Sequence, residues 1–224
     1  ADHLAKPAHA RTNHLHGGRS LKPGGELDQP DIQLHLVNAV MLDHARVKAD
    51  RDGFTIHACQ LRPESRGDVR LASRNPFDAP RIDPNYLATE TDRRTMRDAV
   101  RVVRDICRQD ALNLYRGPEM QPGPGVRTDA EIDAWIRRSG ETIYHPVGTV
   151  RMGVDDKAPV DEQLRVRGVE GLRVIDASVM PTLIGGNTNA PTIMIAEKVS
   201  DVMRGRPPLL RDDAPIAEDE KAVA

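Results

Sequence analysis

Cysteine is scarce. Cys59 and Cys107 are the only two in 224 residues, too few for a disulfide framework and without the CxxC spacing of a zinc or redox pair. That makes a reducing compartment the default expectation. Aromatic residues make up 3% of the chain, leaving little surface on which nucleic-acid bases could stack. Neither sign of charge dominates. The formal net charge is -2, so nothing selects for a polyanion or an anionic membrane. No apolar run reaches the roughly 18 residues of a membrane span. The opening Ala1-Asp2-His3-Leu4-Ala5-Lys6 has neither the apolar core of a signal peptide nor an initiator Met, so a processed chain or a fragment is expected. A cytoplasmic location follows, with peripheral membrane association as the alternative. What is present suits a water-soluble globular protein: 38% hydrophobic and 29% charged residues, enough chain for one large or two small domains.

Residues 1–30 carry few apolar side chains and read as a flexible lead-in. His3, His9, His14 and His16 lie in it. No acid or thiolate is spaced to complete a metal site with them, so solvated histidines are the simpler reading and no metal is assigned. From Asp31 onward Ile32, Leu34 and Leu36 alternate with polar residues, the pattern of a half-buried strand. Phe54, Ile56 and Ala58 alternate likewise, and Val69-Arg70-Leu71-Ala72 follows a Gly67-Asp68 turn. Three short strands at such intervals predict one antiparallel sheet, in which His35 and His57 are packing or surface residues. Thr89 with Asp92 three residues on marks a helix start. Met96, Val100, Val103 and Cys107 then fall on one helical face, which makes Cys107 a core residue rather than a nucleophile. A Pro/Gly-rich stretch from Gly117 to Gly125 separates this helix from a second one. That helix opens at Thr128 with Glu131 completing a capping box, buries Ile132, Trp135 and Ile136, and stops at Gly140.

Beyond Gly140 the pattern changes. Tyr144-His145-Pro146-Val147-Gly148-Thr149 is a polar loop, Leu172-Arg173-Val174-Ile175 is an apolar strand ending at Asp176-Ala177, and Gly185-Gly186-Asn187-Thr188-Asn189 is a glycine-rich loop. Pro191 is expected to open a helix running to about Arg204, since Pro suits the first helical position, with Gly205 and Pro207 as the stop. A strand, a glycine loop and a helix N-terminus together form an arrangement that cradles ligands in α/β sheets. The helix end favours an electron-rich group, and glycines let backbone approach a flat ring. An ordinary helix capped by Asn189 fits the same residues, and the local pattern leaves both readings open. Residues 207–224 are acidic, poor in apolar side chains, and expected to be a disordered tail.

Three longer motifs bear on that choice. They run from Tyr144 through His145 to Gly153, from Gly168 through Asp176-Ala177 to Pro181, and from Gly186 through Asn189-Ala190-Pro191-Thr192 to Lys198. In this order, with a 44-residue step from His145 to Asn189, they resemble the histidine loop, late strand and final flavin-facing helix of the glucose–methanol–choline family of flavin-dependent oxidoreductases. The branch resembled is that of choline dehydrogenases, acceptor-linked alcohol dehydrogenases and related alcohol oxidases. The likeness extends more loosely back to about Asp31, through Gly67-Asp68-Val69-Arg70-Leu71 and Pro84-Asn85-Tyr86-Leu87, and so covers residues 31–206. Val150 stands where many members have Cys.

The resemblance implies an α+β protein. Residues 31–140 would supply an antiparallel substrate-domain sheet with helices. Residues 141–206 would supply the catalytic histidine loop and then the strand–helix of an incomplete FAD-binding α/β domain. It implies FAD as cofactor and an alcohol as substrate, with oxygen, a quinone or a cytochrome as electron acceptor. His145 would take the hydroxyl proton and Asn189 would orient the substrate oxygen. Asp176, Ala177, Asn189, Ala190, Pro191 and Thr192 would face the flavin cofactor. Tyr144 is the aromatic nearest to a choline-like cation, and Arg151 is read as an ion-pair partner. The family opens with a GxGxxG fingerprint that holds the FAD pyrophosphate. Here Gly17-Gly18 and Gly24-Gly25 do not match it, so an FAD-binding N-terminal portion is needed from elsewhere. A non-catalytic truncated product and an independent binding module are the alternatives. A strand and helix without their sheet neighbours would leave Leu172, Val174, Ile193 and Val199 exposed.

Overall fold

The computed structural model describes residues 17–19, 30–43 and 46–207. Strands β1 (Gly17–Arg19), β2 (Ile32–Val37) and β3 (Thr55–Gln60) form an antiparallel sheet with β2 in the middle. The register pairs Gln33 with Cys59 and His35 with His57. In β2, Ile32, Gln33 and His35 are all buried, so both faces of this central strand are covered. The alternation read from the sequence placed His35 in the sheet but did not show that its polar face would also be buried.

The third expected strand does not join this sheet. Strand β4 (Asp68–Arg70) pairs with β5 (Arg81–Asp83) in a separate two-stranded ribbon whose residues are all exposed. Asp68 holds Arg70 in a two-point contact, with N–O distances of 2.8 and 2.9 Å. Its one apolar cross-strand pair, Val69 opposite Ile82, stays 49% and 66% exposed, flanked by the charged pairs Asp68–Asp83 and Arg70–Arg81. The stretch read as a lead-in contributes β1, while residues 1–16 and 20–29 lie outside the described residues, His3, His9, His14 and His16 among them. Residues 208–224 of the expected tail do so as well.

Helix α1 (Glu90–Cys107) packs on β3, and α2 (Asp129–Ser139) packs on α1. Thr89 caps α1 by accepting from the Asp92 backbone N–H at 3.1 Å. The Asp92 carboxylate does not fold back to close a capping box. It is fully buried and accepts from Gln60 Nε2 (2.7 Å), the Glu64 N–H (2.9 Å), the Ser65 N–H (2.8 Å) and the Ser65 hydroxyl. One carboxylate thus ties the first turn of α1 to the end of β3. Met96, Val100, Val103 and Cys107 are half-buried, and the fully buried positions of the helix are Asp92, Arg97 and Ala99. Arg97 spans to α2 with an ion pair to Asp133 at 2.9 Å and contacts to Glu90 and Asp129. Burial pushes the Cys107 thiol up, away from the range of a reactive thiolate.

Helix α2 follows its sequence signature. Thr128 and Glu131 form both halves of the capping box, Ile132 and Ile136 are buried, and Trp135 is half-buried. Gly140 ends it by donating to the Ile136 carbonyl at 2.6 Å. Thr128→Ala should destabilise the fold by about 1 kcal/mol, seen as a lowered thermal midpoint without change of near-ultraviolet spectrum.

Between Gly140 and the last helix, α3 (Asn189–Met203), the chain is held by loops and isolated bridges. The expected strand at 172–175 is extended chain with one bridge, Arg173 to Arg165, and a bond from the Val174 N–H to the Leu164 carbonyl at 3.2 Å. None of the described strands lies alongside it to build a ladder, and an extended segment becomes a strand only with such neighbours.

Candidate functional site

Three segments from the last third converge on one core. Val160, Leu164 and Val179 are buried at its centre. Val150 and Met152, just beyond the histidine loop, pack on it, as do Val174 and Ile175 from the extended segment and Ile195 and Val199 from α3. Backbone bonds lace the first two together: the Val150 N–H donates to the Ser178 carbonyl (3.1 Å) and the Met152 N–H to the Val179 carbonyl (2.8 Å). Gly148 has φ +86°, and a Cβ there would stand 3.3 Å from the Met180 carbonyl oxygen, so the turn after His145 needs glycine for its left-handed backbone, in a place with little room for a side chain.

His145 is half-buried on this loop, and its neighbour Tyr144 is 65% exposed with φ +63°. The Tyr144 N–H donates to the Thr142 hydroxyl at 3.0 Å, which helps hold the left-handed turn that presents Tyr144 and His145 in succession. Arg151 forms the ion pair expected of it, with two contacts of 2.8 and 2.7 Å to Asp155.

Asp176 is exposed and caps a 3₁₀ turn over Ala177–Val179. Its Oδ1 accepts from the Ser178 N–H at 2.8 Å and from the Ser178 hydroxyl at 2.5 Å. Ala177 is half-buried in that turn.

The last helix starts two residues earlier than its proline suggested. Asn189, exposed, is the first helical residue, Ala190 the second and Pro191 the third. Pro is as well accommodated there, because the N–H groups of the whole first turn lack helical partners. Asn189 is therefore not the cap. Thr188 is, and it makes no side-chain capping bond. The Thr192 hydroxyl donates back to the Thr188 carbonyl at 2.6 Å. The first turn contains no acid, and the Arg62 guanidinium lies against Gly185, within 2.6 Å of where a Cβ would stand. An uncapped helix end beside a cation suits an electron-rich ring edge. The residues at hand thus fit the ring end of a flavin dinucleotide, and the carboxylate at Asp176 suits a hydroxyl donor. Neither Arg62 nor Gln33, described below, stood out from sequence, because both lie more than 120 residues from the loop they touch.

Of the four apolar residues expected to be exposed, Leu172 (49%) and Ile193 (55%) are. Val174 and Val199 are not, because the Val160–Leu164–Val179 core covers them.

A family model described as GMC oxidoreductase matches residues 63–196. The chain belongs to the GMC oxidoreductase family. It is 45% identical over 207 residues to the human mitochondrial choline dehydrogenase, covering 92% of this chain and 35% of that protein. Its fold matches a crystal structure of pyridoxine 4-oxidase from Mesorbium loti with a TM-score of 0.74 at 34% identity, over 80% of this chain and 35% of that one. It also matches a formate oxidase of Aspergillus oryzae, studied for modification of its FAD, with a TM-score of 0.72 at 29% identity over 80% and 32% of the two chains. The chain therefore spans about a third of the length of the relatives it matches. Its mixed architecture of small antiparallel sheets with three helices is that of the family's C-terminal region. Among the described residues no helix is long and apolar enough to cross a membrane.

Proposed function

We propose that this chain is the C-terminal part of an FAD-dependent oxidoreductase acting on an alcohol CH–OH group. Residues 31–140 would form its substrate-binding region and residues 141–206 its catalytic loop and return to the FAD domain. The remainder of the FAD site comes from an N-terminal portion outside these 224 residues. The observation that carries this reading is the shared core: the segment following His145 and the helix that begins at Asn189 both pack on Val160, Leu164 and Val179.

In this reading His145 accepts the hydroxyl proton of the alcohol at an imidazole nitrogen, histidine being the side chain most often used as a general base. Asn189 donates an amide N–H to the same oxygen and so aligns the carbinol carbon. FAD, when bound, supplies the hydride acceptor at N5. The N-terminus of α3 favours negative charge at the edge it faces. Tyr144, exposed beside His145, contributes an aromatic wall to the substrate pocket. The electrons leave to oxygen, a quinone or a cytochrome.

Choline is the first substrate to test, given the human relative, followed by aliphatic, aryl and polyol alcohols. Added without oxygen to the FAD-loaded full-length protein, a true substrate should bleach the flavin band near about 450 nm. An oxidised spectrum that persists with every class of alcohol would count against the proposal, and failure to take up FAD would favour a binding module.

A further inference from the structure

The central strand of the main sheet carries a buried amide that reaches out of the sheet. Gln33 is 9% exposed and pairs with Gly18 on one side and Cys59 on the other. A polar side chain in such a place is costly unless it is hydrogen-bonded. Gln33 Nε2 donates to Asn187 Oδ1 at 3.2 Å, across 154 residues of sequence. Gln33 Oε1 accepts from the Cys59 thiol at 3.9 Å, and that thiol also stands 3.8 Å from His35 Nε2. A thiol donates only while protonated, and burial pushes the Cys59 thiol up. With the thiol protonated, Oε1 can accept from it while the amide NH₂ is turned to Asn187.

Asn187 lies in the glycine-rich loop that leads into α3. Gly185, with φ +75°, and Gly186 precede it, and the helix cap that follows makes no side-chain bond. Asn189 comes two residues later. A loop of this kind takes its direction from whatever tertiary contacts reach it.

We infer that Gln33 is a positioning residue: through Asn187 it fixes the 185–189 loop, and with it the direction in which Asn189 meets the substrate oxygen. The inference rests on the role proposed above for Asn189.

Two measurements on the FAD-loaded full-length protein decide it. Gln33→Met keeps side-chain length without the amide, and Asn187→Ala removes the partner from an exposed loop position. Hydrogen exchange of the 185–190 amides should quicken about tenfold in either variant and no further in the double variant, with 55–60 unchanged. The kcat for alcohol should fall roughly tenfold in each single variant and no lower in the double, while KM moves much less. Exchange that stays at the wild-type rate in Asn187→Ala overturns the inference. So does turnover that is unaffected when exchange has quickened, and so does a double variant whose two losses multiply. If turnover instead survives His145→Ala while exchange still couples Gln33 to Asn187, the proposed chemistry fails and the structural link stands.

Discussion

Alcohol oxidation by the FAD-loaded full-length protein should fall by roughly a hundred- to ten-thousand-fold when His145 is replaced by alanine. The magnitude is that of losing a positioned base, to which the substrate's hydroxyl proton must pass before or as the hydride leaves. His145 is half-buried on a loop whose attachment runs through other residues: the Val150 and Met152 N–H groups bond to the 178–179 carbonyls, and Gly148 makes the turn. The substitution should therefore leave flavin content and thermal midpoint close to wild type. Steady-state turnover, with flavin content measured on the same sample, checks both halves. Turnover within a factor of about two of wild type would remove His145 from the role of base.

The second large effect concerns stability. Asp92→Ala should destabilise the protein by about 3 kcal/mol, read from the denaturant midpoint at neutral pH. Four donors converge on this carboxylate: Gln60 Nε2, the Glu64 and Ser65 N–H groups, and the Ser65 hydroxyl. Truncation would strand them in a place where water has little access. Burial by itself would raise the Asp92 carboxyl, but the hydrogen bonds from Ser65, Glu64 and Gln60 outweigh it and hold the group below its ordinary value of 3.8. A carboxylate whose folded-state pKa is depressed binds its proton more readily when unfolded. Its contribution is thus fully present above the unfolded value and is lost as pH falls through the lower, folded one. The wild type should lose this increment only below about pH 4, and the difference from Asp92→Ala should narrow over the same range. A variant as stable as wild type at neutral pH would show that the four bonds are replaced without cost.

The local elements were the legible part of the chain. Thr128 and Glu131 are a capping box because two side chains three residues apart suffice to make one. The strand at 32–37 and the amphipathic run after Thr89 likewise announce themselves through period and cap. Local signals also misled where the deciding partner was remote. Asp92 has the spacing of a capping acid, but its carboxylate goes to Gln60, Glu64 and Ser65. Val69-Arg70-Leu71-Ala72 reads as a third strand of the sheet, but its segment pairs with Arg81–Asp83 instead. Leu172 to Ile175 has the composition of a buried strand, yet a strand needs neighbours, and the described residues supply a bridge at Arg173 with its flanking backbone bonds but no strand beside it.

The amino-acid order alone therefore determined the helices, the central strand pair and the family, because caps, periods and long motifs are written within a few residues of one another. It also marked His145 and Asn189 as the residues to watch. Only the tertiary structure decided that the segments carrying them share the Val160–Leu164–Val179 core, and that Gln33 reaches Asn187 from 154 residues away. Contacts of that kind depend on how the whole chain packs, and no local spacing encodes them.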